Sequence, residues 1–301
     1  MGVDRAGEHF IAITDAGSRL AELAERYDFG DTFLNDVNIG GRYSALSYFG
    51  LVPAALLGID LARLLDRALE ASTGCDGCIV EDDNPGARLG AILGESAKNG
   101  RDKVTFVISP ALASFGDWVE QLLAESTGKE GKGIVPIVGE PLGPPEVYDD
   151  DRLFIHLRLD GDDVYDSAMQ ALEEGGHPVV RIRQRDLYGL GAQFFLWEMA
   201  TAVASHLLAI NPFDQPNVEA AKVLARQMVS KYADPGVLPG DASVPPSGAA
   251  FDEFLMQFGG HGNYVAIQAY VQPTKETDQA LLTLRTELRA RYKMATTVGY
   301  G

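Results

Sequence analysis

Apolar positions along the chain fall into two periods. Short, nearly continuous apolar runs recur at "HFIAITD" (9–15), "KVTFVIS" (103–109), "GIVPIVG" (133–139), "RLFIHLRL" (152–159) and "PVVRIR" (178–183). Runs of this length, rich in β-branched residues, predict strands buried on both faces. Between them stand longer segments such as "SRLAELAERY", "ALASFGDWVEQLLAES" and "DDVYDSAMQALEEGG", where apolar residues recur at about 3.6 spacing and predict helices. The alternation predicts a mainly parallel sheet with helices on both faces, a three-layer α/β domain.

Between the first two of these strands the pattern predicts an all-helical excursion through "SALSYFGLVPAALLG", "DLARLLDRALEAS" and "GARLGAILGESAKNG", with a kink at Pro53. A further helix, "NVEAAKVLARQMVSKY", leads to residues 233–250, where Pro, Gly and Asp crowd together and predict a linker or loop. The division read from this is a domain over 1–232, the linker over 233–250, and a small α/β segment over 251–301. The most apolar stretch, Leu187 to Ile210, is long enough to raise the question of a membrane span. Gln193, Glu198, Ser205 and His206 interrupt it at several depths, each costly in lipid, so a buried helix is expected instead.

Charge narrows the partners. Forty-three acidic residues against 25 basic ones leave a net charge of -18 in 301 residues, which disfavours nucleic acid and anionic membranes at long range. An anionic substrate then needs a locally positive site, made by a few Arg or Lys side chains or by helix N-termini. The two cysteines, Cys75 and Cys78, form one C-x-x-C in a Gly- and Asp-rich loop. No second pair completes a zinc site and no strand leads into a redox motif, so no metal and no cofactor are expected. The N-terminus "MGVDRAGEHF" has no apolar core, which predicts no secretory leader and a cytoplasmic protein.

Three stretches could carry chemistry. In "NIGGRYS" (38–44), Gly40 and Gly41 allow positive φ and close approach of a ligand, and Arg42 supplies fixed positive donors. Alone, the stretch also reads as a Gly-rich turn with a surface arginine. In "LLAESTGKEGKG" (122–133), Glu125 sits where a helix gives way to a glycine loop, while Lys129, Glu130 and Lys132 read as ordinary loop charges. In "INPFDQPNVEAAK" (210–222), Asp214 or Gln215 can cap a helix that Pro216 opens. Lys222 follows Gln215 by seven residues, so the two share a face about 10 Å apart along the axis.

In this order the stretches resemble phosphoglucose isomerase (glucose-6-phosphate isomerase). "GGRYS" before an apolar helix is similar to that family's first signature, "AESTGK" and "GIVPIVGEP" resemble the segments that follow, and "AINPFDQPNVEAAK" resembles the second signature. The resemblance covers roughly residues 9–232. It implies a sugar-isomerase (SIS) domain, flavodoxin-like or Rossmann-like, interconverting glucose 6-phosphate and fructose 6-phosphate through an enediolate, in glycolysis and gluconeogenesis. Residue by residue, it implies that Glu125 moves the proton between C1 and C2 and that Arg42 stabilises the enediolate. Gln215 would bind the sugar phosphate, Lys222 would aid ring opening and bind substrate, and Gly40 and Gly41 would give the sugar room. The chemistry suits the residues, since this isomerisation needs one carboxylate proton shuttle and one fixed cation, without metal.

The chain also departs from the family. Upstream of His9 nothing supplies the Ser/Thr-rich phosphate loop of a preceding SIS domain, and "LGPPEVYDDD" after "VGEP" has no histidine. The chain starts just before a strand and stops within one. The expectation is therefore a second SIS domain from a longer chain, inactive or weak alone, whose partners are a sugar phosphate, the preceding SIS domain and a second copy in a homodimer. The wording "HFIAITDAGS" and "RYSALSYFGLVPAALLGID" resembles the isomerase half of fused transaldolase/phosphoglucose isomerase proteins. The alternative is a non-catalytic SIS module that binds sugar phosphates or mediates dimerisation.

Overall fold

The computed structural model describes residues 5–76, 84–214, 216–233, 248–258 and 260–301. Its internal contacts divide the chain into one unit of residues 1–90 and 185–203 and a second of 91–184 and 204–301. This division falls away from the stretch 233–250, most of which, 234–247, lies outside the described residues.

In the first unit β1 (Ile11–Asp15) and β2 (Asp31–Asn35) pair in parallel, from Ile11 opposite Asp31 to Asp15 opposite Asn35. They are joined by α1 (Arg19–Arg26), whose first turn is capped by Ser18 Oγ accepting from Ala21 N at 3.1 Å. The second strand corrects the expected all-helical excursion. "DTFLN" has only Phe33 and Leu34 as apolar residues, too few for a pattern, and it is held by neighbours instead. Its Asn35 Oδ1 accepts from Tyr48 N at 3.2 Å, where α2 (Tyr48–Leu56) begins, and the Phe33 and Tyr48 rings lie 5.6 Å apart. Pro53 lies inside α2. Next comes α3 (Leu61–Gly74), capped by Asp60 Oδ1, which accepts from Arg63 N at 3.1 Å. Two helices have parts in both units, α4 (Pro85–Lys98) and, later in the chain, α7 (Leu190–Leu207). Gly191 lets α7 approach α3 closely, since a Cβ there would stand 2.0 Å from the Leu64 carbonyl oxygen.

The polar residues of α7 are accommodated within the helix. Trp197, buried, donates from Nε1 to Gln193 Oε1 at 3.2 Å, and Thr201 Oγ1 donates to the Trp197 carbonyl at 2.7 Å. Ser205 and Glu198 differ: Ser205 Oγ is buried with no hydrogen-bond partner, and so is Oε1 of Glu198. Burial pushes its carboxyl up from 4.5 to about 8. No helix among the described residues is long and apolar enough to cross a membrane.

In the second unit β3 (Lys103–Ile108), β4 (Val135–Ile137), β5 (Arg152–Leu159) and β6 (Val179–Gln184) form a parallel sheet in the order β4-β3-β5-β6. The connecting helices are α5 (Phe115–Thr127) and α6 (Asp166–Glu174). Val119, Leu122 and Leu123 of α5 are fully buried. Val107 and Phe154 pack with Tyr148 and with Met169 and Leu172 of α6 in one core cluster. This is the strand-helix alternation that the apolar runs predict.

The remaining elements are α8 (Pro216–Ala233), α9 (Gly248–Phe258), and β7 (Tyr264–Ala269) paired in parallel with β8 (Ala295–Tyr300) through α10 (Lys275–Tyr292). This C-terminal part belongs to the unit of the four-stranded sheet. Arg285 of α10 donates to the Val138 and Gly139 carbonyls beyond β4, each at 3.0 Å. The strand pairs are parallel, as the sequence predicts, but the described strands form three sheets rather than one.

Candidate active site

Glu125 lies in the last turn of α5, half-buried, and Gln121 one turn earlier donates from Nε2 to Glu125 Oε2 at 3.3 Å. The helix stops at Gly128 and the chain reverses tightly. Lys129 N donates to Lys132 O at 3.2 Å and Lys132 N to Lys129 O at 3.0 Å. Between them Glu130 and Gly131 take φ of 56° and 72°, the left-handed pair of a two-residue hairpin turn. Thr127, fully buried, closes the loop: its Oγ1 donates to Leu123 O at 2.7 Å and accepts from Ile134 N at 2.8 Å. A cavity of about 790 Å³ beside this turn is lined by Glu120, Ala124, Gly128, Lys132 and Tyr264 among others. The Glu120 carboxyl is pushed up by burial and by Asp117, against the pull of Arg285.

Lys129 corrects the reading of ordinary loop charges, whereas Lys132 is exposed. Lys129 is buried, and its Nζ donates to the Asn211 carbonyl at 2.6 Å, the Asp214 carbonyl at 2.8 Å and Asp214 Oδ1 at 2.6 Å. Lys132 Nζ donates to the Leu208 carbonyl at 2.8 Å. Asp214, one of the two residues read as a possible helix cap, accepts from Lys129 through its Oδ1. Pro216 opens α8 as expected, and Lys222 on α8 is exposed. Gln215 lies outside the described residues.

Arg42 belongs to the first unit. The chain from Gly41 to Tyr43 makes one turn of 3-10 helix in which Arg42 is buried at 2% exposure, which removes the surface-arginine reading. Ser44 Oγ donates to the Gly41 carbonyl at 2.6 Å, and the Arg42 guanidinium stands 5.3 Å from the Tyr43 ring centre. Neither glycine uses positive φ, contrary to expectation: Gly40 has φ -71°, and Gly41 is outside that region. A Cβ on Gly41 would meet nothing within 4 Å. Cys75 is buried and free, and Cys78 lies outside the described residues.

"VGEP" holds a buried ionic cluster that its sequence does not announce. Arg152 Nη1 donates to Glu140 Oε2 at 3.1 Å, with both side chains at 0% exposure, and Arg289 Nη1 stands 3.6 Å from the same oxygen. Thr296 donates to Glu140 Oε1 from its backbone N at 3.2 Å and its Oγ1 at 2.9 Å. The cluster ties the loop after β4 to β5, α10 and β8. Ser114, Asp117, Gly139, Glu140 and Tyr165 are among the residues lining a cavity of about 430 Å³ at the C-terminal ends of β3 and β4, the end at which open α/β sheets bind ligands.

No family model matches the chain. Two curated relatives named glucose-6-phosphate isomerase are similar to most of it. The one from Heliobacterium modesticaldum is 30% identical over 279 residues, covering 77% of this chain and 60% of the relative. The one from Parabacteroides distasonis is 29% identical over 262 residues, covering 74% and 58%. The chain thus spans about 60% of the length of such relatives. Among solved structures, a hypothetical protein from Thermus thermophilus superposes with TM-score 0.65 at 24% identity, covering 75% of this chain and 64% of that one. A glucose-6-phosphate isomerase from Chlamydia trachomatis gives TM-score 0.57 at 19% identity, covering 83% and 56%. At these identities the structures speak for the α/β fold, and the curated relatives bear out the resemblance seen in the motifs.

Proposed function

We infer that this chain, a relative of the glucose-6-phosphate isomerases over three quarters of its length, carries the proton-transfer residues of an aldose-ketose isomerase. Glu125 is the base that moves a proton between C1 and C2 of glucose 6-phosphate and fructose 6-phosphate. Arg42 stabilises the enediolate oxygen, a task for a fixed, always-charged donor. Gln215 and Lys222 bind the sugar phosphate, and Lys222 assists ring opening. Gly40 and Gly41 leave room for the sugar, as the open space at Gly41 suggests. The observation that carries the reading is the order Arg42, Glu125, Gln215, Lys222, kept in a chain similar to proteins of that name.

The phosphate cradle belongs, on this reading, to a preceding SIS domain of a longer cytoplasmic protein that works as a homodimer in glycolysis and gluconeogenesis. A transaldolase fused ahead of that domain fits the wording of residues 9–18 and 42–60. One observation favours a second reading, a non-catalytic module that binds sugar phosphates: the segment directly after "VGEP", "LGPPEVYDDD", has no histidine. A coupled assay separates them. The longer chain should turn over at ordinary enzyme rates, ~1 to 10³ s⁻¹, while the 301-residue chain is inactive or weak. Full turnover by the 301-residue chain would remove the need for the preceding domain. Binding of sugar phosphate without turnover by the longer chain would favour the second reading.

A further inference from the structure

We propose that Lys129 is a positioning residue: it clamps the Asn211–Asp214 segment, and with it the start of α8, to the turn that ends the Glu125 helix. An ammonium group has three donors. Those of Lys129 find three acceptors, two backbone carbonyls and one carboxylate oxygen, at 2.6, 2.8 and 2.6 Å. The Lys129 side chain is buried while Asp214 is half exposed, so the cost falls on the lysine: a donor left unmet there has no water to turn to. Its base cannot drift, because the turn carries paired backbone bonds between Lys129 and Lys132, and Thr127 is bonded on both sides of it. Lys132 adds a second hold on the same approach to α8, at the Leu208 carbonyl.

Most of α8 beyond this point is exposed along its length, from Ala221 to Tyr232. A helix with so little packing takes its placement from its N-terminal tether. Lys129 lies four residues after Glu125, and its acceptor Asp214 lies eight before Lys222. One buried cation therefore sets the distance between the residue read as the proton carrier and the helix that bears a substrate-binding lysine. The consequence for catalysis rests on the isomerase reading; the clamp itself does not.

The test uses Lys129→Met, which keeps the length of the stem and removes the donors. Amide hydrogen exchange on the 301-residue chain should quicken about tenfold or more across 211–225, with β3 and β5 unchanged. Unchanged exchange in that segment overturns the proposal. In the longer, active chain, the Michaelis constant for fructose 6-phosphate should rise about tenfold through the displaced Lys222, with a smaller fall in kcat from slower ring opening, because Glu125 keeps its own helix. A fall in kcat with no change in the Michaelis constant overturns the positioning role. If the longer chain is inactive even without substitution, the isomerase reading fails and the exchange result still decides the clamp. If Lys129→Met does not fold, Asp214→Ala removes one acceptor only and should give a smaller loss of protection in the same segment, with no loss counting against the clamp.

Discussion

Replacing Glu140 with glutamine keeps shape and one carbonyl acceptor but removes the negative charge that faces two buried guanidinium groups. Arg152 stands 3.1 Å away and Arg289 3.6 Å away, and the Arg152 side chain has no exposure through which it could recover water. Breaking a buried pair by removing one partner costs ~3–5 kcal/mol. Glutamine can still accept from Thr296, so the lower end, about 3 kcal/mol, is expected. For a urea dependence of about 2 kcal/mol per molar, the unfolding midpoint falls by about 1.5 M. Urea titration followed by circular dichroism and tryptophan fluorescence measures this. Glu140→Gln combined with Arg152→Met should recover part of the loss, since removing both partners is far less costly than orphaning one. A midpoint within about 0.3 M of the parent, or about 0.6 kcal/mol, would refute the reasoning. Asp151, whose Oδ1 stands 3.9 Å from Arg152 Nε, would then suffice as the counter-charge of Arg152.

Two further outcomes test the first unit. The buried Glu198 carboxyl keeps its proton to about 8, whereas in the unfolded chain it releases it near 4.5. Stability is therefore lost as pH rises through that window, at most about 1.4 kcal/mol per pH unit from this group. Glu198→Gln should flatten that slope, and thermal unfolding from about pH 5 to about pH 8 that shows the same slope in both proteins would contradict it. Gly191→Ala should destabilise by about 1–3 kcal/mol, because a new methyl meets the Leu64 backbone and the helix-propensity gain of about 1 kcal/mol does not offset it. Gly74→Ala, where a Cβ meets nothing within 4 Å, is the control and should be neutral or slightly stabilising in the same melts.

The strands β3 and β5 were legible because burial on both faces leaves a nearly unbroken apolar run, and α5 and α6 because one face of each is apolar. By contrast, β2 has no such run; its pairing with β1 and the bond from Tyr48 to Asn35 create it. The positions of Glu125 at a helix end and Pro216 at a helix start followed from local chemistry. Lys129 could not be read that way, since its acceptors lie 82 and 85 residues ahead and a lysine among glycines looks solvated. For the same reason, Arg152, Arg285 and Arg289 gave no sign of burial, as their partners come from separate elements. Gln121 could have been noticed, because it precedes Glu125 by one helical turn.

The central claim, that Glu125 carries the proton between C1 and C2, is tested most directly by isotope exchange. Fructose 6-phosphate is incubated in D₂O with the longer chain, and deuterium at the reacting carbons is followed by NMR. The unsubstituted protein should exchange and isomerise, while Glu125→Gln should lose both by a factor of about 10² or more and still bind the sugar phosphate. Exchange by Glu125→Gln at the unsubstituted rate, or loss of binding equal to the loss of turnover, would contradict the account.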